Sequence, residues 1–470
     1  MTFRAFAFAA ILLAAVNLIF SGLALVFPVM IWAALALLSF LLFCALMIFG
    51  APSAFVLMSP LLFLRATEML SGAAIEAGSY ITELIRYGEA TGAFNRLFAF
   101  YAFLFTSSAL VIERAARRHR DAFLTLQDRL DDLWLAPFIL FGVYMLHGLV
   151  LLVGVRHGFP FLEGIDRFDY RLSVDSRLLT SYLGNRFILI LVLALLALSR
   201  RWRIWALFGI FSVFATSILF AEKFTALSQM IIMSFIPLGL VTVARDSNLP
   251  ASVMIKFPLA IITFTLPIVL FVYGDGQVTT ESFRKLGERI ALQGELWWIA
   301  DRNHMEFFHF EPQALAADVG TWLVTSAQNP DHAGQRFGLY YVMAHYAPSE
   351  IAFSAASKGI GYIFSLFPYL LMTTGVLGLL VFGAVIHLLY ALVLCWIMEA
   401  LARADLILLT IASKIYIFFV SSGFIVGYLW FFFGIKTWIL LAAYLVYRYL
   451  SRFRISALEP IPDYLRADRP

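Results

Sequence analysis

The sequence has little charge and almost no cysteine. Only 14% of its 470 residues are Asp, Glu, Lys or Arg, and its two cysteines, Cys44 and Cys395, both lie inside apolar runs. That leaves no disulfide framework and no zinc-ligand spacing. Walker A, the Gly-rich dinucleotide fingerprint, His-Glu-x-x-His and the nucleophile elbow are also missing. Nothing in the sequence therefore offers to spend ATP, carry hydride or hold a catalytic zinc ion. No internal repeat is visible, which argues against a transporter built from inverted repeats. The formal net charge of +4 comes from basic residues flanking apolar runs and carries no nucleic-acid message.

What the sequence has in abundance is apolar length. It is 62% hydrophobic, with 47 Phe and a mean hydropathy of +0.88. A soluble chain cannot bury that much apolar surface. A bilayer-spanning helix needs about 20 apolar residues. Runs at 5–27, 29–49, 53–64, 96–113, 135–154, 186–199, 204–221, 224–243, 254–273, 375–397, 405–424 and 427–447 approach that length. The expected fold is an all-α polytopic integral membrane protein with about 12 transmembrane helices. The first run lacks a defensible cleavage site and reads as an uncleaved span.

Basic clusters set the expected orientation. Lys and Arg collect in short cytoplasmic loops. Glu113-Arg-Ala-Ala-Arg-Arg-His-Arg120, then Arg200, Arg201 and Arg203, then Arg448, Arg452 and Arg454 all read as cytoplasmic, which places both termini inside. The apolar run at 359–373 is interrupted by Gly359, Gly361, Pro368 and Gly375. It reads as a re-entrant or interfacial half-helix, a geometry tolerated where it lines a cavity. The expected organisation is a bundle over 1–273 with outer loops at 65–95 and 155–185. A large outer loop follows at 274–358, then the re-entrant segment and three spans over 359–450, and a tail at 451–470.

The loop from Gly274 to Lys358 is the one long polar segment. Its opening, Glu281 to Arg302, reads as helix. At helical spacing Arg289, Gln293 and Trp297 share a face, with Glu288, Glu295 and Arg302 beside it. Arg offers a charged fork to phosphate, Gln an amide to hydroxyls, and Trp a flat apolar face to a sugar ring. An interfacial helix with Trp and Arg at the headgroups is the plainer alternative. Between two spans, Glu222 and Lys223 place charges where ionisable groups face a cavity or pair with each other. The polar constellations all fall on the outer face, away from cytoplasmic nucleotides. An enzyme working there needs a substrate that is already energised, and a lipid-linked diphosphate fits.

The chain resembles the Wzy family of oligosaccharide repeat-unit (O-antigen type) polymerases of bacterial inner membranes. The resemblance rests on the many-span layout with one late loop. It also rests on Phe161-Leu-Glu-Gly-Ile-Asp-Arg167, Ala221-Glu-Lys-Phe-Thr225 and Glu288-Arg-Ile-Ala-Leu-Gln-Gly-Glu-Leu-Trp-Trp298. The arginine-to-glycine loop repeats of some members are absent. The resemblance implies a GT-C-like membrane fold with a periplasmic loop containing helices, in the bacterial inner membrane. It implies metal-independent transfer of a growing glycan from undecaprenyl diphosphate to the next lipid-linked oligosaccharide, with no cofactor. A chain-length regulator and a flippase are the implied protein partners.

Within that reading, Arg289 and Arg284 are expected to hold the diphosphate. Arg302, Arg336, Arg167, Arg171 and Lys223 are further candidates for the same anion. Glu295 or His345 is expected to act as base, with Glu222 and His304 in reserve. Gln293, Trp297 and Trp298 are expected to contact sugar. An O-antigen ligase that passes the polymer to a lipid A core shares the layout and chemistry. A polysaccharide or lipid flippase requires charges deep in the bundle, and the expected spans are nearly free of them. A non-catalytic scaffold has no need for arginines from three outer loops.

Overall fold

The computed structural model describes residues 1–165, 167–222, 224–246, 277–316, 338–357, 364–427 and 434–456, with scattered positions between 263 and 271. It is a helical bundle. In order, the helices are α1 (Phe3–Val26), α2 (Ile31–Gly50), α3 (Pro52–Glu76), α4 (Ala93–Leu124), α5 (Leu126–Asp131), α6 (Ala136–His157), α7 (Pro160–Glu163), α8 (Arg167–Val174), α9 (Arg177–Leu196), α10 (Arg203–Leu219) and α11 (Phe224–Asp246). Then come α12 (Thr280–Ala291), α13 (Glu295–Asn303), α14 (Gly338–Tyr346), α15 (Ser349–Ser357), α16 (Leu366–Ala402), α17 (Leu406–Phe418), a π-helical turn (Phe419–Ile425) and α18 (Ile435–Ser456). One short antiparallel hairpin joins α3 to α4, pairing β1 (Tyr80–Ile81) with β2 (Arg86–Tyr87).

Nine of the described helices are long and apolar enough to cross a bilayer. The expected span at 254–273 lies almost wholly outside the described residues. The helices of α1 and α2 bury a narrow stripe and expose Phe8, Ile11, Ile19, Leu38 and Leu41. In water that would be costly; against lipid it costs nothing. By contrast α3 is buried nearly all round, from Val56 and Leu57 through Leu64 to Ile75. A helix with no exposed face belongs at the centre of a bundle, and α3 packs there against α2, α4, α11 and α12. Polar side chains tie the helices where lipid offers no partner. Asn95 of α4 donates to Asn17 of α1 at 3.0 Å, and Asn17 donates to Ser39 of α2 at 2.9 Å.

The centre of the bundle holds a surprise for the hydropathy reading. The sequence predicts a short span ending at Arg65, with Arg65 and Glu68 in an outer loop. Instead α3 continues to Glu76 and carries both charges inside. Arg65 Nη1 donates to Glu68 Oε2 at 2.7 Å, and the Tyr101 hydroxyl donates to the same carboxylate. Four rings surround the guanidinium: Tyr101, Phe364, Phe367 and Phe424, with centroids at 5.1, 4.6, 4.8 and 5.8 Å. Pairing and cation–π contact offset the cost of burial, so the apolar helix extends through its own charges.

The chain direction groups the loops. Residues 77–92, 158–176 and 277–316 lie at one end of the bundle, called here the loop end. Arg117, Arg120, Arg200, Arg201, Arg403 and Arg448 lie at the other. At the loop end α16 breaks at Gly375, whose φ is +66°. Residues 306–311 lie across the break as a non-helical segment. Val376 and Leu377 donate to the carbonyls of Glu306 and Phe307, both at 3.0 Å, and Glu311 N donates to Thr373 O at 2.8 Å. The amides that a helix start leaves without a partner are thus satisfied by this segment. A Cβ at position 375 would lie 2.7 Å from His309 N, so only glycine fits.

Candidate functional site

The loop end is built on α12 and α13. A single helix from Glu281 to Arg302, the sequence expectation, is not what forms. The helix stops at Ala291, turns, and restarts at Glu295. Gly294 sets the corner: a Cβ there would lie 2.2 Å from Ser71 Oγ of α3. The break takes Arg289 and Trp297 off one continuous face. Gln293 turns back, its amide donating to the Arg289 carbonyl at 3.1 Å.

The two tryptophans point inward. Trp297 is 3% exposed and Trp298 is fully buried. Their indoles donate to the carbonyls of Ala93 and Glu89, at 2.9 and 3.0 Å. They pin α13 to the first residue of α4 and to the segment before it, and neither offers a ring face to a ligand from solvent. The Trp298 ring is covered by Arg86 and Arg302, at 5.9 and 5.7 Å. Arg302 also pairs with Glu89 at 2.6 Å. Arg284 stays on the exposed face of α12, paired with Glu281 and Glu288 of its own helix.

Glu295, by contrast, lies next to another carboxyl. It is fully buried at the first turn of α13. Its carboxyl contacts that of Glu83, which sits in the turn between β1 and β2. Two carboxylates are both acceptors, so a hydrogen bond between them requires one proton. Burial, then the hydrogen bond and charge of Glu83, push the Glu295 carboxyl well above the usual carboxylate range. Burial raises Glu83 too, while its bond to Glu295 and the positive charge of Arg289 pull it back. The structure thus brings together two of the sequence-selected residues, Arg289 and Glu295, through Glu83, which sequence spacing did not single out. No local signal links Glu83 to a residue on a helix far along the chain.

A second cluster lies between α8, α9 and the α10–α11 turn. Glu222 is buried and takes three guanidinium groups. Arg167 Nη1 lies 3.2 Å from its Oε2, Arg186 Nη2 lies 3.1 Å from the same oxygen, and Arg171 bonds to Oε1. Burial favours the neutral acid, but Arg186, Arg167 and Arg171 outweigh it and hold Glu222 below the ordinary range. Asp169 falls on the opposite face of α8 from Arg167 and Arg171 and is exposed. Three arginines thus converge on one buried carboxylate. Arg186, midway along α9, was not among the expected site residues. Beside it, Asn185 accepts from Lys414 of α17 at 2.7 Å.

A third cluster surrounds residues 304–311. Glu311 accepts from His309 at 3.1 Å and from the Tyr341 hydroxyl. The His345 ring packs on Tyr341 with centroids 4.6 Å apart, and His304 lies against Tyr346 at 6.1 Å. Burial, then the neighbouring His345 and His309, lower the His304 pKa. His345 itself is exposed. Arg336 and Lys223 lie outside the described residues. Among the described residues, no three His, Cys, Asp or Glu side chains are grouped to hold a metal ion.

Residues 332–441 match the model of a family of unknown function, DUF6418. That stretch covers His345, the break at Gly375 and Lys414, and less than half of the chain. No curated protein and no solved structure matches.

Proposed function

We propose that this chain is a GT-C-like membrane glycosyltransferase of the bacterial inner membrane. It polymerises undecaprenyl-diphosphate-linked oligosaccharide repeat units at its loop end, which is periplasmic. The positive-inside rule supports that orientation, because the basic residues of the opposite end mark the cytoplasm.

The observation that carries the reading is the convergence of Arg167, Arg171 and Arg186 on Glu222. Several arginines gathered beside apolar spans suit a diphosphate whose lipid lies in the bilayer. Polymerisation handles two such lipids, one bearing the growing chain and one bearing the new unit. The Glu222 cluster and Arg289 are two separate cationic positions at the same end. The reaction is displacement at the anomeric carbon of the growing chain, with arginines stabilising the departing diphosphate. Neither a cofactor nor a metal enters the proposed step.

The test is a purified protein in detergent, given a synthetic undecaprenyl-diphosphate repeat unit, with products separated on a gel. Wild type should give a ladder that survives EDTA. Arg171→Ala and Arg289→Ala should each cut the rate about 10²-fold or more, the usual loss for one donor to a developing anion. No ladder from wild type, but transfer to a lipid A acceptor, would make the protein an O-antigen ligase. A flippase is the second reading. The buried Arg65–Glu68 pair favours it, because ionisable groups inside a bundle often mark a transport path. Movement of a fluorescent lipid-linked glycan across vesicles containing the protein, without any ladder, would select it.

A further inference from the structure

We propose that Glu83 is the proton acceptor for the attacking sugar hydroxyl, and that Glu295 sets its protonation by sharing a single proton with it. This rests on the polymerase reading and names the base within it. The bases expected from the sequence were Glu295 or His345; of these, the Glu295 carboxyl is fully buried and cannot meet a substrate. Glu83 is only partly buried, in the turn of the hairpin, so one side of the pair faces outward.

The geometry fixes how the pair works. Both Glu295 oxygens and Glu83 Oε2 are buried, and no N–H or O–H of another residue donates to them. The pair must therefore satisfy itself, which it does with one proton held between the two carboxyls. A dyad of this kind has one oxygen free to accept a proton and one held as acid, a division of labour seen wherever two carboxyls share a site. The positive charge of Arg289 on α12 acts on Glu83 and favours its ionised form. The other charged groups nearby are engaged elsewhere. Asp301 of α13 is held by Arg96 of α4, and Arg302 pairs with Glu89. Arg86 of β2 lies over Trp298, and Glu68 of α3 is bound to Arg65.

In the step, the acceptor hydroxyl loses its proton to the Glu83 carboxylate. The hydroxyl oxygen uses its lone pair to form the new bond to the anomeric carbon. The anomeric carbon–oxygen bond to phosphate breaks, and its electron pair leaves on undecaprenyl diphosphate. The dyad then holds two protons and returns one to solvent through the exposed side of Glu83.

The test joins infrared spectroscopy to polymerisation, both on the full chain in detergent. Wild type at pH 8 should show a protonated-carboxyl C=O stretch that is lost in Glu295→Gln and shifted in Glu83→Gln. Glu83→Gln should lower kcat about 10²-fold or more with little change in KM, as expected for loss of a general base. Glu83→Asp should recover part of that rate, and thermal melting checks that each variant folds. Glu295→Gln should keep some activity but move the pH profile to lower pH. A ladder from wild type with no carboxyl band lost in Glu295→Gln overturns the dyad and leaves the polymerase reading intact. A band that behaves as expected, with Glu83→Gln polymerising at the wild-type rate, overturns the assignment of the base. A band that behaves as expected with no wild-type ladder overturns the polymerase reading, and the base with it.

Discussion

Arg96 of α4 donates from Nε to both carboxylate oxygens of Asp301, at 2.9 and 3.1 Å, across 205 positions of sequence. Its Nη1 also donates to Ser21 of α1 at 2.9 Å. This one guanidinium ties the loop helix α13 to two membrane-length helices. Asp301 is fully buried, so removing Arg96 strands a carboxyl inside the protein. Loss of one partner of a buried pair costs about 3–5 kcal/mol. Arg96→Met should lower the melting temperature and open residues 295–316 to protease in detergent. Asp301→Asn, which leaves no stranded charge of its own, should cost less.

The Glu222 cluster should make stability depend on acid. The Glu222 pKa is depressed in the folded protein, so its contribution is present above the ordinary glutamate range. It is lost as pH falls through the folded value. Protonation removes the carboxylate on which Arg167, Arg171 and Arg186 converge. Melting curves across pH should show wild type more stable than Glu222→Gln near neutrality. The two should converge in acid.

The Glu83–Glu295 pair should have the opposite sign. The Glu295 pKa is raised, so its favourable contribution is complete at low pH. It is lost as pH rises from the ordinary carboxylate range toward the folded value. A neutral amide does not carry that penalty. Glu295→Gln should therefore gain stability relative to wild type as pH rises. A difference that stays constant from pH 5 to 9 would show that no proton is at stake there.

Gly375 carries a mechanical prediction. Alanine at this position combines a left-handed φ with a Cβ 2.7 Å from His309 N and 2.9 Å from Glu306 O. Strain of this kind costs about 1–3 kcal/mol. Gly375→Ala should lower the melting temperature and speed amide exchange at Val376 and Leu377, whose partners are the carbonyls of residues 306 and 307.

These relationships differ in how far they were legible in the sequence. The membrane class and most helices follow from hydropathy, because a span needs only apolar length. The basic clusters, too, gather at one end as their spacing suggests. Hydropathy failed at Arg65 and Glu68, where charges are tolerated because aromatic rings from distant parts of the chain enclose them. Helical periodicity failed at Gly294, where contact with Ser71 and Phe94 forces a corner that local propensity does not contain. It failed again at Trp297 and Trp298, whose amphipathic rings suit a sugar or a protein interior equally well. Arg289, Glu295, Arg167 and Arg171 were recognisable as residue types. Their partners, Glu83 and Arg186, were not, because the contacts that select them are made in three dimensions.

The enclosure of Arg65 also bears on how the protein is made. Tyr101 is the only ring of the four that the ribosome supplies soon after α3. Phe364 and Phe367 come much later, and Phe424 later still. Until then α3 must wait in or beside the insertion machinery with a guanidinium whose only companions are Glu68 and Tyr101. The chain is therefore unfinished in a chemical as well as a topological sense until its last third arrives. A chain cut short before Phe364 lacks three of the four rings that enclose Arg65, and its guanidinium stays half-covered.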